Sequence, residues 1–553
     1  MNFNRLLIIV ICFVFMSCNA TPVDNIVPVE SSLFEGLQTF DTVFSLIPQP
    51  KTIIAYKSSI DLTSITSIYI QDESLRPVAT YLASTLPNST PKILIGKTKM
   101  QHAINILLEP MSNNTEHYKL EIAPDNISIT GTTKQAAICG VNTFRQFLSI
   151  NELSTANNKK LKCVAINDQP DFVWRGFMLD VARHFFTKDE VCSVIDMMAQ
   201  LKLNKLQLHL TDDQGWRIPI EAYPELIDSG WKRLPDKNDT YCLNIAGYNP
   251  NFVFPADRWD GTHYFGKYSK NDLVEMIQYA ADRGIDIIPE IDIPGHSTMA
   301  IKAHNDFSCV GKGVGWGTEF SYPLCLGNDD VLTYYNHIFD EIIQLFPSKY
   351  IHIGADEADA TNWVSCPRCQ SRISTLNLGT ISGLERWFLA QIEKNIRAKG
   401  RKMVVWDDAL PYVSSTATIM WWRDWIGINT AVGGAIAQGS EAVITNWDIM
   451  YFSGNETNNS LYDIYHLNLY PTYGISEGQK NLVVGMQACV FTENIPTINQ
   501  LNLMIYPRMF ALSEKSWYAD KTNDALWSTF KPRLKQWLLY LKAHNIPYRA
   551  TNL

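Results

Sequence analysis

Residues 349–363 read KYIHIGADEADATNW, and a short β-branched run closes there on two adjacent carboxylates, Asp356 and Glu357. Like charges side by side repel, and a strand end has no structural need of them, so the pair implies chemistry on something set against it. Other apolar runs end in a similar way. Arg183 and His184 follow RGFMLDV, Asp212 and Asp213 end KLQLHLTDD, and His296 lies just past IDIIPEID. Trp406, Asp407 and Asp408 close KMVVWDD, Trp421 and Trp422 close TIMWW, Asp448 closes EAVITNWD, and Glu493 comes shortly after LVVGMQACVF. Carboxylates, an arginine, a histidine and several indoles suit a neutral polyhydroxylated ligand. Indole faces pack on the C–H faces of sugar rings, while charged groups hold pairs of hydroxyls.

Glycosidases commonly place two carboxylates across the scissile bond, ~5–5.5 Å apart for retention and ~6.5–9.5 Å for inversion. Neighbours on one strand point to opposite faces, which makes Asp356 and Glu357 a poor acid-and-nucleophile pair. One general acid and one orienting charge is the better division, with the nucleophile supplied by the substrate. A 2-acetamido sugar carries such a nucleophile, since its amide oxygen can attack its own anomeric carbon. A carboxylate accepting the amide N–H then favours the oxazolinium that forms.

The elements that must hold these groups are legible in the rhythm of the chain. Eight apolar runs (175–181, 205–212, 285–292, 350–357, 402–408, 418–422, 441–448 and 482–491) alternate with amphipathic segments such as KDEVCSVIDMMAQLK and VLTYYNHIFDEIIQLF. That count and alternation predict an α/β fold, a (β/α)8 TIM barrel, whose strand ends gather at one mouth. An open doubly wound sheet is the alternative, but no Gly-rich phosphate loop follows the first run. Upstream, SITSIYIQ, KILIGK, AINILLE, HYKLEIA and NISITG read as strands and KQAAICGVNTFRQFLSI as one helix. The expected organisation is a small α+β domain over 45–168 and the barrel over 169–553.

Six motifs in order, DVARHFF, LHLTDDQGWRI, IPEIDIPGHS, HIGADE, VVWDD and PRMFALSEKSW, resemble glycoside hydrolase family 20, the β-N-acetylhexosaminidases. The likeness covers the barrel to its last helix, and the small domain resembles the family's usual N-terminal partner. The resemblance implies Glu357 as general acid and then base, and Asp356 as the residue that orients the acetamido group. Arg183 and Glu493 would hold the hydroxyls at C3 and C4, and Asp448 the C4/C6 side. Asp212 and His296 would relay to Glu357, and Trp406 and Trp422 would wall the acetamido pocket, with Trp422 preferred over Trp421 as the inward indole. It implies no metal or organic cofactor. Asp213 reads as a turn cap, and His184 and His352 as hydrogen-bonded framework.

Two positions depart from the family pattern. The Tyr expected two places before the strand 7 Asp reads Asn446, and the Trp expected two places before the strand 8 Glu reads Phe491. Tyr451 and Trp447 lie near enough in sequence to compensate. The implied activity is exo-acting, retaining hydrolysis of terminal β-linked GlcNAc or GalNAc. The alternatives are a member tuned to a modified sugar, such as a 6-sulfated one, and a glycan-binding surface protein that has lost hydrolysis. The segment 228–270 is long for a barrel loop and reads equally as the leaving-sugar side of the cleft or as a structural lid.

Net charge is −9 with no basic run, which argues against nucleic acid and anionic lipid as partners. MNFNR followed by LLIIVICFVFM, an apolar core too short to span a bilayer, resembles a signal peptide. The SCNA that closes it resembles a bacterial lipoprotein site, with cleavage before Cys18 and lipid on its thiol. Residues 1–18 are then leader and 19–44 a linker, and the expected location is the bacterial cell envelope, membrane-bound only through the lipid. Of 11 cysteines, two lie in this region and nine remain, so at least one is unpaired within the chain. Cys366 and Cys369, in CPRC, have zinc-knuckle spacing but no second pair at matching distance in sequence. A loop staple or free thiols is therefore favoured over zinc. Cys309 and Cys325 bracket a loop that a disulfide would close in an oxidising compartment.

Overall fold

The computed structural model describes residues 38–39, 44–86, 91–96, 99–111, 116–152, 159–233, 254–311, 323–423, 425, 432–453, 460–472, 475–519 and 524–549. The leader, Cys18 and nearly all of the linker lie outside them. Among the described residues no helix is long and apolar enough to cross a membrane.

The first layer is a seven-stranded sheet of Thr52–Asp61 (β1), Ser67–Ile70 (β2), Lys92–Ile95 (β3), Ala103–Leu108 (β4), Tyr118–Ile122 (β5), Ile127–Gly131 (β6) and Lys160–Asp168 (β7), in the order β1-β7-β5-β6-β4-β2-β3. The β1, β7, β5 and β6 neighbours run antiparallel, and the β6, β4, β2 and β3 neighbours parallel. Its helices are Arg76–Ala83 (α1) and Lys134–Glu152 (α2), whose Ile138, Val141 and Phe144 share a core with Ile104, Leu120 and Ile129. The sequence showed five of these strands and one helix. β1 and β7 escaped because TIIAYKSSID and KLKCVAIND do not alternate cleanly, and α1 because eight residues are too few for a helical period to stand out.

The second layer is the barrel. Its strands are Trp174–Asp180 (β8), Lys205–His209 (β9), Asp286–Glu290 (β10), Tyr350–His352 (β11), Lys402–Trp406 (β12), Thr418–Trp421 (β13), Glu441–Ile444 (β14) and Val483–Val490 (β15), all parallel and closed β15 to β8. These are the eight runs read from the sequence. Alternation sorts their side chains. Phe177, Leu179, Val405 and Ile419 face the helix layer, while Trp174, Met178, Trp406 and Met420 fill the interior. The helices include Lys188–Gln200 (α3), Lys270–Asp282 (α4), Asp329–Leu345 (α5), Pro367–Thr375 (α6), Ile381–Ala398 (α7), Arg508–Trp517 (α8) and Asp524–Ala543 (α9). Thr187 and Glu190 close a capping box on α3, and Ser269 and Asp272 one on α4.

The two layers meet through buried, paired polar groups. Arg175 at the start of β8 binds Glu116 (2.5 Å), Lys202 reaches Asp168 (3.3 Å), and Trp517 Nε1 donates to Asp168 (3.0 Å).

Two strands end sooner than their apolar runs suggest. β11 stops at His352, because Gly354, Ala355 and Glu357 take φ of +66°, +69° and +50°. A Cβ on Gly354 would lie 1.8 Å from Asp292 Oδ1, so only glycine fits there. β14 stops at Ile444, because Asn446 caps a helical turn over Trp447–Met450. The cysteines also differ from expectation. Cys309 and Cys325 are not bonded to each other, and the fold brings both to Cys366 and Cys369.

Candidate active site

The barrel register explains why chemistry gathers at one mouth. Asp180 pairs with His209, His209 with Glu290, and Glu290 with His352, so four polar side chains form a belt across β8 to β11. His209 bridges two carboxylates, with Nδ1 2.8 Å from Glu290 Oε2 and Nε2 2.8 Å from Asp212 Oδ2. Asp212 Oδ1 then lies 3.3 Å from His296 Nδ1, and His296 Nε2 lies 3.3 Å from Glu357 Oε2. Below, Trp406 Nε1 and Gln207 Nε2 donate to Glu290 (3.0 and 2.7 Å), Gln487 donates to Gln207 (2.7 Å), and Trp174 donates to Gln487 (3.1 Å). A continuous polar chain thus runs up the barrel interior to Glu357.

Burial alone would raise Asp212, but Arg183 and His296 beside it hold its carboxyl well below the usual range. Burial works against charge on His296 and His209 as well, yet Asp212 holds the former, and Glu290 the latter, well above an ordinary imidazole. Both rings are therefore cations at neutral pH. Their charges are repaid by carboxylates on either side, which is the condition for burying ions at all. His184 differs. Burial among arginines lowers it to about 3, and it is a neutral ring donating Nδ1–H to the Thr492 carbonyl.

Asp356 and Glu357 do not sit on a strand, so the alternation argument from sequence does not apply to them. The left-handed turn places both on one imidazole nitrogen: His296 Nε2 is 3.7 Å from Asp356 Oδ2 and 3.3 Å from Glu357 Oε2. Asp292 supports the turn, its Oδ1 accepting the Ala355 N–H (3.2 Å), and Asp408 Oδ1 accepts from Glu357 N at 3.5 Å. Burial, with Asp408 and Glu357 adding repulsion against the attraction of His296, pushes Asp356 up to about 7. Burial and Asp356 together raise Asp292 well above the carboxylate range. Asp356 Oδ1 is buried and accepts no hydrogen bond, an expensive state for a carboxylate oxygen unless a ligand donates to it.

Arg183 is held by Asp212 (2.7 Å), Asp180 (3.4 Å) and Gln214 (2.9 Å), with its guanidinium 5.2 Å from the Phe491 ring. Glu493 lies in its field, and burial raises that carboxyl. Of the tandem indoles, Trp421 packs in the outer core, whereas Trp422 faces the barrel interior and donates Nε1–H to Asp408 (2.8 Å). Arg423 clamps Asp407 and Asp408 (3.0 and 3.2 Å) behind it. Asp213 caps the turn into the helix Thr298–Ala303, accepting from Thr298 N, and also approaches His296 (3.6 Å).

The loop after β14 places Asn446 and Asp448 differently from one another, the first buried and the second exposed. Its helical turn leaves Trp447 and Asp448 exposed and returns the chain to the floor at Tyr451, bridged to Cys489 of β15. Tyr451 is buried, stacked on Trp422 (6.1 Å between centroids, 23°) and tilted on Phe491 (5.3 Å), within the fields of Asp356, Asp407 and Asp408. A buried phenol thus stands among these groups at 451, five residues past Asn446. By the same spacing the residue two places on is Ser453, not an aspartate. Asn446 is buried with Oδ1 unbonded.

Sequence reasoning missed His209, Glu290, Asp292 and Asp180 because each sits within an apolar run. The signal was there: polar residues spaced two apart, Gln207 and His209 in LQLHLTD and Glu290 and Asp292 in IIPEID, mark the inward face of a strand end. Of the segment 228–270, residues 234–253 lie outside the described residues. The described part anchors the site, with Arg233 donating to the Arg183 carbonyl (2.8 Å).

Comparison with known proteins fits this geometry. Residues 172–520 match the model of the glycosyl hydrolase family 20 catalytic domain, and residues 43–169 that of family 20 domain 2. The chain is 30% identical over 535 residues to a beta-hexosaminidase of Porphyromonas gingivalis, covering 92% of this chain and 65% of that protein. Among solved structures, it is similar to an exo beta-N-acetylglucosaminidase of Vibrio harveyi in complex with N-acetylglucosamine (TM-score 0.77, 25% identity, 93% of this chain and 80% of the other). It is likewise similar to a beta-N-acetylhexosaminidase of Bacteroides fragilis (TM-score 0.75, 25% identity, 91% and 96%).

Proposed function

The chain belongs to glycosyl hydrolase family 20, and from that premise we propose that it is an exo-acting, retaining β-N-acetylhexosaminidase that removes terminal β-linked GlcNAc or GalNAc by substrate assistance. The observation that carries this reading is the buried, unbonded Asp356 Oδ1 next to Glu357, both on the His296 cation. Glu357 protonates the glycosidic oxygen while the acetamido oxygen attacks the anomeric carbon and the leaving sugar departs. Asp356 accepts the amide N–H, which matches the positive charge of the oxazolinium. Glu357, now a base, takes a proton from the water that reopens the ring, and the configuration is retained.

Trp406, Trp422 and Phe491 wall the acetamido pocket, and Tyr451 donates to the acetamido oxygen. Arg183 and Glu493 hold C3 and C4 hydroxyls. The polar chain behind His296 keeps that ring charged and so stabilises Glu357 as the carboxylate after its proton has left. The leader supports an envelope lipoprotein with lipid on Cys18.

Ser453 favours a second reading of the substrate. With a hydroxyl where the family pattern has a carboxylate, the C4/C6 side lacks the charge that would repel an anionic 6-substituent. That is the chemistry of a 6-sulfated sugar. The test is chromophore release from aryl β-GlcNAc, β-GalNAc and 6-sulfo-β-GlcNAc, with Glu357→Gln as control and Ser453→Asp as the specificity variant. Turnover abolished by Glu357→Gln supports the hydrolase. Selective loss of the sulfated substrate in Ser453→Asp supports the second reading. Glycan binding in calorimetry with no turnover on any substrate or natural glycan would overturn both in favour of a binding protein.

A further inference from the structure

Away from the sugar site, the fold assembles four thiols from two distant stretches of chain. Cys309 and Cys325 lie in the described stretches 304–311 and 323–328 that follow β10, and Cys366 and Cys369 begin α6, nine residues and more after Glu357. Cys309 Sγ lies 3.7 Å from Cys369 Sγ, and Cys325 Sγ lies 3.6 Å from Cys366 and 3.7 Å from Cys369. All four sulfurs lie within 4.8 Å of one another. A disulfide needs about 2.05 Å, so none of these pairs is bonded. Zinc holds thiolates at about 2.3 Å in a tetrahedron, which sets the sulfur–sulfur edges near 3.8 Å. Three of the six edges, at 3.6–3.7 Å, match a tetrahedron sized for the ion, and Cys325 and Cys369 each touch two neighbours, as vertices do and as separate disulfide pairs do not.

We propose that Cys309, Cys325, Cys366 and Cys369 bind one structural zinc ion, which staples the chain around Cys309 and Cys325 to the start of α6, just beyond the loop that carries Asp356 and Glu357. Four thiolates fill the tetrahedral shell, so no position is left for water or substrate, and the ion is structural rather than catalytic. A zinc tetrathiolate carries a net charge of −2, and the Arg368 guanidinium lies against Cys325 and Cys366 to offset it while donating to the Asp306 and Ser308 carbonyls (2.8 and 3.0 Å). The backbone is shaped for this closure. A Cβ on Gly327 would lie 2.2 Å from Cys369 N, so the chain just past Cys325 can press on α6 only with glycine there. Trp363 Nε1 donates to the Leu324 carbonyl (2.9 Å), and Leu324 N donates to the Pro294 carbonyl (2.9 Å).

These links give the metal a reach into the active site. Pro294 is two residues before His296, and Cys366 is nine residues after Glu357. The zinc therefore fixes both sides of the His296–Glu357 contact at 3.3 Å without touching either residue. Sequence spacing hid the site, because the second pair is not a CxxC but two cysteines 16 residues apart.

The test is metal analysis of the full chain purified under reducing conditions from zinc-replete cells. We expect about one zinc per chain, released as four thiols are titrated with a mercurial. Cobalt substitution is expected to give the thiolate charge-transfer bands of a tetrahedral tetrathiolate. Cys366→Ser/Cys369→Ser loses the metal, while Cys192→Ser, outside the cluster, keeps it. Because the double variant risks misfolding, the titration and the cobalt spectrum are read on the unmodified chain. Removing zinc with a strong chelator lowers the thermal midpoint, and lowers kcat with little change in KM if the chain is the hydrolase proposed above. The metal content does not depend on that reading. Less than about 0.1 zinc per chain, an iron chromophore in its place, or peptide mapping that finds these cysteines in disulfides would overturn the proposal.

Discussion

Tyr451→Phe isolates the hydroxyl proposed to donate to the acetamido oxygen. The change deletes one hydroxyl and leaves the ring on Trp422 and Phe491, where the stack is already made. Losing one buried hydrogen-bonding group costs about 1 kcal/mol of stability, so the protein stays folded and its thermal midpoint moves by a few degrees. The chemical cost is larger. Removing one donor aimed at developing charge lowers kcat by ~10²–10³, about 3–4 kcal/mol, because the phenol is itself buried against Trp422 and Phe491. Asn446→Ala is the companion variant. Asn446 Oδ1 makes no bond, and its loss lowers kcat by less than about tenfold. Steady-state release from an aryl N-acetylglucosaminide measures both. If Asn446→Ala is the more damaging of the two, the phenol has been assigned to the wrong place and the Ser453 argument goes with it.

Asp212→Asn removes the counter-charge shared by Arg183, His209 and His296. Breaking a buried network of this kind costs about 3–5 kcal/mol, seen by thermal denaturation. His296 loses its main support and deprotonates at lower pH, so the alkaline limb of kcat/KM moves down; an unmoved limb contradicts the relay. Asp356→Asn abolishes most activity yet stabilises the fold at high pH. The folded carboxyl is raised to about 7, so its contribution is fully present below the ordinary value near ~3.9 and is lost as pH rises through 7, a penalty of up to about 4 kcal/mol at pH 8. Thermal midpoints at pH 5 and pH 8 check this, with the advantage of the variant larger at pH 8. Trp425, 60% exposed and edge-on to Trp422 at 4.9 Å, stands at the rim. Trp425→Ala raises KM for a disaccharide by about 2–10-fold, on ~0.5–1.5 kcal/mol of ring packing, and leaves an aryl substrate unchanged.

The eight-strand rhythm was readable because each strand is an apolar run ended by polar residues, and local periodicity records burial on both faces. The Asp356–Glu357 pair stood out for the same reason. What local pattern does not record is a register between strands. His209 and Glu290 look like isolated polar residues in sequence, and only the pairing of β9 with β10 makes them one network. Tyr451 entered the sequence reading only as a substitute for the phenol expected at 446, because spacing counted from the end of the apolar run takes the loop as extended, whereas the turn at 447–450 consumes residues without advancing along the barrel. The four cysteines were split by distance along the chain for a similar reason.

The polar belt across the barrel also bears on how the chain closes. Sliding β9 by one residue would put Leu208 where His209 stands, leaving Glu290 and Asp212 facing an aliphatic side chain with no counter-charge. Each unpaired buried ion costs several kcal/mol, far more than a misaligned pair of leucines would. Apolar strands tolerate slippage, since one branched side chain substitutes for another. Here a slipped barrel leaves buried ions without partners, so the groups that hold the charge on His296 also discriminate against a wrong register.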